Sequence, residues 1–130
     1  MSLFNKLKKT TKDSAFDIWL NNILANPLSA DIKAICFNLY DDGDNKWSIE
    51  FVGTSYFDEN NTDWACNEVF TTRDNPFVLI REYSWKDAEN LFTEMVSKYL
   101  KDGKYANKLK AYTAIGIGFV DGDLNIIYKK

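Results

Sequence analysis

One stretch near the start of the chain repeats apolar residues at the 3.6-residue period of an amphipathic helix. This apolar stripe spans residues 16–24. Asp13 or Ser14 can cap its start, and Pro27 stops it because proline cannot continue a helical turn. The pattern predicts a helix near residues 14–25.

A longer stripe of the same period lies in the second half of the chain. Ser84 begins a capping pattern there, with Asp87 at the third helical position, and Gly103 is a natural C-cap. We expect a helix near residues 85–101 and a short helical turn at 105–109.

Between these two stripes the apolar period shortens to two residues, as in strands. Residues 32–40 and 46–54 alternate in this way, and the turn at 41–45, Asp-Asp-Gly-Asp-Asn, is typical of a hairpin. Residues 63–70 are a third strand candidate. The pattern at 71–83 leaves both strand and coil open.

The end of the chain predicts a second hairpin. Residues 112–120 and 124–128 flank an Asp-Gly turn, which is among the strongest short hairpin signals. Gly116 and Gly118 lie on one face of the first of these strands. Glycine weakens a strand, so we expect both positions to accept a close-packed neighbour such as an aromatic ring or a helix.

These elements predict a single α+β domain over residues 1–130, in the order α-β-β-β-α-β-β. Tight turns within the strand groups favour an antiparallel sheet of about five strands, with both main helices on one face. Residues 1–12 form either a loose or a helical N-terminal arm in this interpretation.

The composition is that of a chain that can bury a core. Of its 130 residues, 45% are hydrophobic and 15% aromatic, well above a disordered composition. Cys36 and Cys66 are the only cysteines, and we interpret them as two buried thiols acting as small hydrophobes. A single disulfide bond between them is an alternative that the sequence does not decide, because it cannot test the distance that a disulfide requires.

The first twelve residues carry four lysines but no apolar stretch of the kind found in a secretory signal. No run in the chain approaches the roughly 20 apolar residues that span a bilayer. We therefore expect a cytoplasmic protein. The apolar side of the basic start is too small to hold a membrane alone, so no membrane partner is expected.

Charge is concentrated in one segment, residues 41–70. It contains eight carboxylates and one base, a local charge of −8 + 1 = −7, whereas the whole chain sums to −3. Six aromatic residues are interleaved with the acids: Trp47, Phe51, Tyr56, Phe57, Trp64 and Phe70. The segment predicts an acidic, aromatic-bearing surface that holds a basic protein partner.

Nine residues of this segment are the predicted partner-binding site. Six carboxylates are expected to steer and pair with lysine or arginine: Asp42, Asp44, Glu50, Asp58, Glu59 and Asp63. Three aromatic residues are expected to act as desolvated anchors: Tyr56, Phe57 and Trp64. The alternative is that the strand aromatics belong to the core, since a half-buried sheet needs one apolar face.

Catalytic and cofactor chemistry is not predicted. The chain has no histidine, no phosphate-binding loop and no metal-ligand spacing, and Gly43 falls at the wrong place for an EF-hand. Glu50 and Glu68 could be neighbours on one sheet face if their strands pair, or two solvated strand residues. Nucleic-acid binding is not expected either, because the basic runs at 6–12 and 98–110 are short and the pI is near 4.9.

The chain resembles, over roughly its whole length, the small acidic bacterial immunity proteins of toxin–immunity systems. The resemblance lies in the segment FNLYDDGDNKWSIEFVGTSYFDENNTDWACNEVF and the C-terminal hairpin GFVDGDLNIIY. It implies a cytoplasmic protein that neutralises a toxin by binding it. The alternatives are a structural or regulatory domain whose acids confer solubility, and, less favoured, a carboxylate-dependent enzyme.

Overall fold

A computed structural model describes residues 14–130. They adopt the predicted α+β class, with two main helices on one face of a mixed six-stranded sheet. The predicted arm at residues 1–12 lies outside the described residues. The helices are α1 (Ala15–Leu24), α2 (Trp85–Asp102) and the short α3 (Ala106–Lys110). The strands are β1 (Ala34–Asp41), β2 (Lys46–Thr54), β3 (Glu68–Thr71), β4 (Phe77–Ile80), β5 (Ala114–Phe119) and β6 (Asn125–Lys129).

The sheet is mixed rather than antiparallel, which corrects the prediction. Its strand order is β3-β2-β1-β5-β6, and β4 pairs with β2 beside β3. β1 and β5 are parallel, whereas all other pairs are antiparallel. The parallel pair arises because α2 and α3 carry the chain back along the sheet before β5 enters beside β1.

The predicted helix boundaries and caps are confirmed. The hydroxyls of Ser14 and Ser84 each accept a hydrogen bond of 3.1 Å from the backbone N–H three residues further on. Gly103 ends α2, and its N–H donates to the carbonyl of Tyr99 at 2.7 Å. A Cβ at this position would lie 2.5 Å from the Tyr99 ring, so the close approach of backbone and ring requires glycine.

One face of the sheet forms the main core with the helices. Alternate residues of the three central strands point towards α1 and α2, as their period-two pattern predicts. The fully buried strand residues of this face are Ile35, Phe37, Leu39, Ile49, Phe51, Ile115 and Ile117.

The opposite face carries a second, smaller apolar cluster, covered by the segment between β2 and β3. The predicted strand at 63–70 is wrong in its first half, because residues Thr62–Cys66 form a 3-10 helix. The Asn61 side chain caps this helix by accepting from the N–H of Asp63 at 3.0 Å. This helix places the Trp64 side chain against the sheet, where it is 1% exposed and packs in a cluster with Ala34, Cys36 and Val52.

The two glycines of β5 do accept close-packed neighbours, as predicted. A Cβ on Gly116 would lie 3.3 Å from Cζ2 of Trp64 and 3.1 Å from Cδ1 of Leu124. A Cβ on Gly118 would overlap the backbone carbonyl of Asp123. The small residues therefore let both the 3-10 helix and the β5–β6 turn approach the sheet.

The structure resolves two points that the sequence left open. The undecided stretch at 71–83 contains β4, which extends the sheet beside the first half of β2. Cys36 is buried, as predicted, but Cys66 is exposed at the end of the 3-10 helix, and both thiols are free. Within residues 14–130, no helix is long and apolar enough to cross a membrane.

Candidate functional site

Two aspartate-rich turns project from the same end of the sheet. Because β1 and β5 are parallel neighbours, with Leu39 opposite Phe119, the chain leaves both strands in the same direction. The turns that follow carry five exposed aspartates, which we call the acidic end: Asp41, Asp42, Asp44, Asp121 and Asp123.

The turn between β1 and β2 is held in a tight, left-handed conformation. Gly43, Asp44 and Asn45 have φ values of 82°, 53° and 60°. Glycine, asparagine and aspartate are the residues that tolerate this region best. A side-chain oxygen of Asp41 accepts from the N–H of Gly43 at 3.0 Å, and the N–H of Lys46 donates to the Gly43 carbonyl at 2.9 Å. The turn therefore presents its acids on a defined backbone.

The carboxylates of the acidic end are not ion-paired within the described chain, although Lys46 follows the first turn and lines a surface pocket with Asp42. Among residues 14–130, no lysine or arginine forms an ion pair with any of these five carboxylates. The carboxylates that do form ion pairs are all glutamates: Glu50, Glu59, Glu68 and Glu89. The negative charge of the five aspartates is therefore presented to solvent and to whatever approaches.

A groove of about 520 Å³ opens between the acidic end and the start of α2. Asp41, Asp121 and Asp123 line it, and Trp85 and Phe119 form its apolar part. The Trp85 side chain is 60% exposed, and its ring lies 6.3 Å from that of Phe119 at an interplanar angle of 80°. The groove thus combines a large exposed aromatic ring with unpaired carboxylates.

One lysine of the groove is already neutralised. The ammonium of Lys86 lies 3.1 Å from an oxygen of Glu89 and 5.7 Å from the centroid of the Trp85 ring. This local pair leaves the charges of the three groove aspartates uncompensated.

A different arrangement surrounds Glu50, on the sheet face that carries Trp64. The Glu50 carboxylate is 1% exposed and accepts from the Asn38 amide at 3.0 Å and the Tyr40 hydroxyl at 2.6 Å. Arg73 donates to both of its oxygens, at 3.0 and 3.3 Å, and reaches Glu68 at 3.0 Å. We call Glu50, Glu68 and Arg73 the bridged cluster.

The bridged cluster perturbs the groups around it. Burial, followed by the hydrogen bond to Glu50, raises the pKa of Tyr40 to about 12. Burial, followed by the negative charge of Glu50, raises the pKa of the Cys36 thiol to about 12. Hydrogen bonds to Glu50 and then to Glu68 raise the pKa of Arg73 above its ordinary value. Tyr40 therefore stays a neutral donor, and the Cys36 thiol is not a nucleophile at neutral pH.

The predicted anchors lie in the segment between β2 and β3, and they differ in exposure. Trp64 is buried, and the half-buried Phe57 packs on it with ring centroids 5.1 Å apart. Only Tyr56 is exposed, to 50%. The burial of Trp64 leaves Tyr56 as the predicted anchor that is most accessible to a partner.

The predicted acids of the same segment are partly engaged within the chain. An oxygen of Asp58 accepts from the N–H of Asn60 at 2.9 Å, and Glu59 forms an ion pair with Lys129 at 2.8 Å. Asp63 is exposed in the first turn of the 3-10 helix. These contacts leave less unpaired charge here than at the acidic end.

The structure divides the nine predicted residues among three places. Asp42 and Asp44 lie at the acidic end, Glu50 lies in the bridged cluster, and the other six lie in residues 56–64. The two ends of β2 are separated by about 26 Å at 3.3 Å per residue. The acidic segment is therefore not one surface.

Sequence reasoning missed the residues that complete the acidic end and the groove. Asp121, Asp123 and Trp85 lie more than forty residues from Asp41 along the chain. Asp-Gly-Asp occurs at both turns, but only the parallel pairing of β1 and β5 brings the two turns together. Arg73 was missed as well, because nothing in the local pattern marks it as a bridge between two glutamates.

Within the described part of the chain, no group of three or more cysteine, aspartate and glutamate side chains is arranged to hold a metal ion. Comparisons with protein-family models, with curated proteins and with solved structures found no match.

Proposed function

We propose that this chain is a non-enzymatic protein-binding domain that holds a basic partner at its acidic end. One observation carries the proposal: five exposed aspartates from two distant turns are gathered at one end of the sheet without a described ion pair. Like charges that are close together repel each other, so such an arrangement weakens the fold slightly unless a cationic partner relieves it.

The charge balance of the chain supports a binding role rather than a general role in solubility. The chain has 19 acids and 16 bases, so its net charge of −3 is modest. A surface whose only task is solubility needs both signs interspersed, without a local excess. Concentrated charge of one sign instead increases the rate of encounter with a partner of opposite sign.

The bridged cluster does not favour a catalytic interpretation. Both oxygens of Glu50 already accept hydrogen bonds from Asn38, Tyr40 and Arg73. A general acid or base must present a free oxygen to its substrate. This engagement of Glu50 supports a structural role for it on the sheet face.

We further propose that the basic partner is a toxin domain and that the chain acts as its immunity protein in the cytoplasm. This part rests on the resemblance to small acidic immunity proteins and on the charge of the acidic end. The alternative, a structural or regulatory domain, predicts no dedicated partner and indifference to charge reversal.

The test compares two variants of equal charge change. Asp42→Lys/Asp44→Lys reverses two charges of the acidic end, and Asp58→Lys/Glu59→Lys reverses two charges of the segment between β2 and β3. Proteins that co-purify with the wild-type chain from its native host are identified by mass spectrometry and produced pure. Their binding to the three forms is measured by stopped-flow mixing at several salt concentrations.

A toxin partner should stop the growth of cells that produce it, and co-production of the wild-type chain should restore growth. Reversal at the acidic end should lower the association rate at least tenfold and flatten its salt dependence. If only the Asp58→Lys/Glu59→Lys variant weakens binding, the partner surface is the segment between β2 and β3, and the assignment to the acidic end is wrong. If neither variant affects any purified partner, the proposed function is wrong.

A further inference from the structure

The tryptophan that lines the groove beside the acidic end is far more exposed than the other tryptophans of the chain. Three of the four tryptophans, Trp19, Trp47 and Trp64, are at least 91% buried, whereas Trp85 is 60% exposed. Trp85 is the first residue of α2, and its ring packs against that of Phe119. The Phe119 ring packs in turn against Trp47, with ring centroids 6.1 Å apart. The half-buried Phe119 ring thus lies between the buried Trp47 and the exposed Trp85, and it connects Trp85 to the core.

One cation of the chain already lies beside the Trp85 ring of the groove. Lys86 places its ammonium 5.7 Å from the Trp85 ring centroid, within reach of a cation–π interaction, and pairs with Glu89. The three aspartates on the rim have no such cation among the described residues. The groove therefore has room and charge for a second cation beside the same ring.

We propose that the groove binds an arginine side chain of the basic partner. The inference rests on the proposed function and names the group that the partner inserts. The planar guanidinium would stack on Trp85 while its N–H groups donate to Asp121 or Asp123. A volume of about 520 Å³ is enough for one long side chain and the backbone that carries it.

Arginine fits these contacts better than lysine does. Its guanidinium is planar, stacks on aromatic rings, and donates two parallel hydrogen bonds to one carboxylate. It is also less strongly hydrated than an ammonium, so it loses less on entering a groove with an apolar wall. Lysine would keep the charge attraction to the acidic end but lose the stacking and the paired donors.

The first test uses tetra-arginine, tetra-lysine and tetra-glutamate peptides as probes of the full chain. The four indole N–H groups give four resonances in a nitrogen–proton NMR spectrum, and the three buried tryptophans serve as internal controls. Tetra-arginine should shift the Trp85 resonance most strongly and bind at least fivefold more tightly than tetra-lysine. Equal affinity of the two peptides, or an unmoved Trp85 resonance, would overturn the proposal.

Variants then locate the contact. Trp85→Ala and Asp121→Asn/Asp123→Asn should each weaken tetra-arginine binding about tenfold, the loss expected when a central contact worth about 1.4 kcal/mol is removed. The matched control, Asp31→Asn/Glu94→Gln, removes the same charge from exposed positions outside the groove and should change binding less than twofold. An equal loss in the control would mean that the peptide responds to overall charge, and the proposal would fail.

The natural partner separates this inference from the proposed function. If Trp85→Ala leaves partner affinity unchanged while Asp42→Lys/Asp44→Lys lowers it, the arginine contact is wrong and the proposed function stands. If neither variant affects the partner, both are wrong. Circular dichroism of Trp85→Ala should match the wild-type spectrum, because the side chain it removes is largely exposed.

Discussion

The bridged cluster and the acidic end are both rich in carboxylates, yet their environments are opposite. Glu50 is almost completely buried and is held by three donors, one of them a guanidinium that also binds Glu68. The aspartates of the acidic end are exposed and lack an ion pair in the described structure.

A local count of charges therefore does not define a surface. Glu50 is only six residues from Asp44 and contributes equally to the charge of the segment. Its position in β2 places its side chain on the sheet face that carries Trp64, where Arg73 forms an ion pair with it. We therefore expect changes in the buried face to alter stability, and changes at the acidic end to alter binding.

The largest effect on stability is expected from Trp64, which covers the sheet face next to the bridged cluster. Trp64→Ala should lower the free energy of unfolding by about 3–5 kcal/mol, because it removes a large buried ring and leaves a cavity. The matched control is Tyr56→Ala in the same segment, which should change stability by no more than about 0.5 kcal/mol. Urea unfolding followed by circular dichroism measures both. Similar losses for the two variants would mean that Trp64 does not cover the sheet as described.

The next largest effect is expected from Arg73. Arg73→Met leaves the Glu50 carboxylate buried without its counter-charge, a loss that reaches about 3–5 kcal/mol for fully buried pairs. The Arg73 side chain is 54% exposed, so water can partly replace it, and we expect about 2–3 kcal/mol.

A second variant separates charge from packing at this position. Glu50→Gln/Arg73→Met removes the charges of both residues, and it should be more stable than Arg73→Met alone because no fully buried carboxylate is left without a counter-charge. The Glu68 carboxylate loses Arg73 in both variants, so it does not contribute to the difference between them. The urea midpoints of the two variants are compared directly. If the double variant is the less stable of the two, hydrogen bonding rather than charge compensation dominates the cluster.

Most of the fold could be predicted from the sequence because its elements follow local rules. The two helices, the first hairpin and the glycines of β5 depend on period, capping and turn residues that lie close together in the chain. The parallel pairing of β1 and β5 could not, because it depends on the path of α2 and α3 across the sheet. The 3-10 helix was missed because Asp63 to Phe70 contains enough apolar residues to imitate a strand.

The candidate site was predicted less completely for the same reason. Asp42 and Asp44 were identified from a local excess of acid, but their neighbours Asp121 and Asp123 join them only through the parallel pair. Glu50 was predicted as a steering charge, and only the position of Arg73 in space shows that its charge is compensated. Long-range pairing therefore decides which acids act together.

The pH dependence of stability should report on the buried face. The folded-state pKa of Cys36 is raised from 9.0 to about 12, and that of Tyr40 from 10.0 to about 12. Above pH 9 the unfolded chain loses these protons while the folded chain keeps them, so folding is increasingly disfavoured. Their contribution is fully present below pH 9 and is lost as the pH rises towards 12.

Urea midpoints from pH 8 to pH 11 should therefore fall more steeply for the wild-type chain than for Cys36→Ala/Tyr40→Phe. The difference between the two curves is the informative quantity, because it cancels every pH effect that the two forms share. Parallel curves would show that neither group keeps its proton longer in the folded state.

The smallest effect on stability is expected at the acidic end. Asp42→Asn/Asp44→Asn keeps side chains that suit the turn, since asparagine tolerates the positive φ of position 44 as aspartate does. Removing two like charges should leave the urea midpoint unchanged or raise it slightly, and any rise should shrink with salt because the screening length is about 8 Å at physiological ionic strength. A clear loss of stability would mean that these carboxylates hold the turn together, as Glu50 holds the sheet face. An unchanged fold combined with slower binding to a basic partner would instead place the function of these acids outside their own chain.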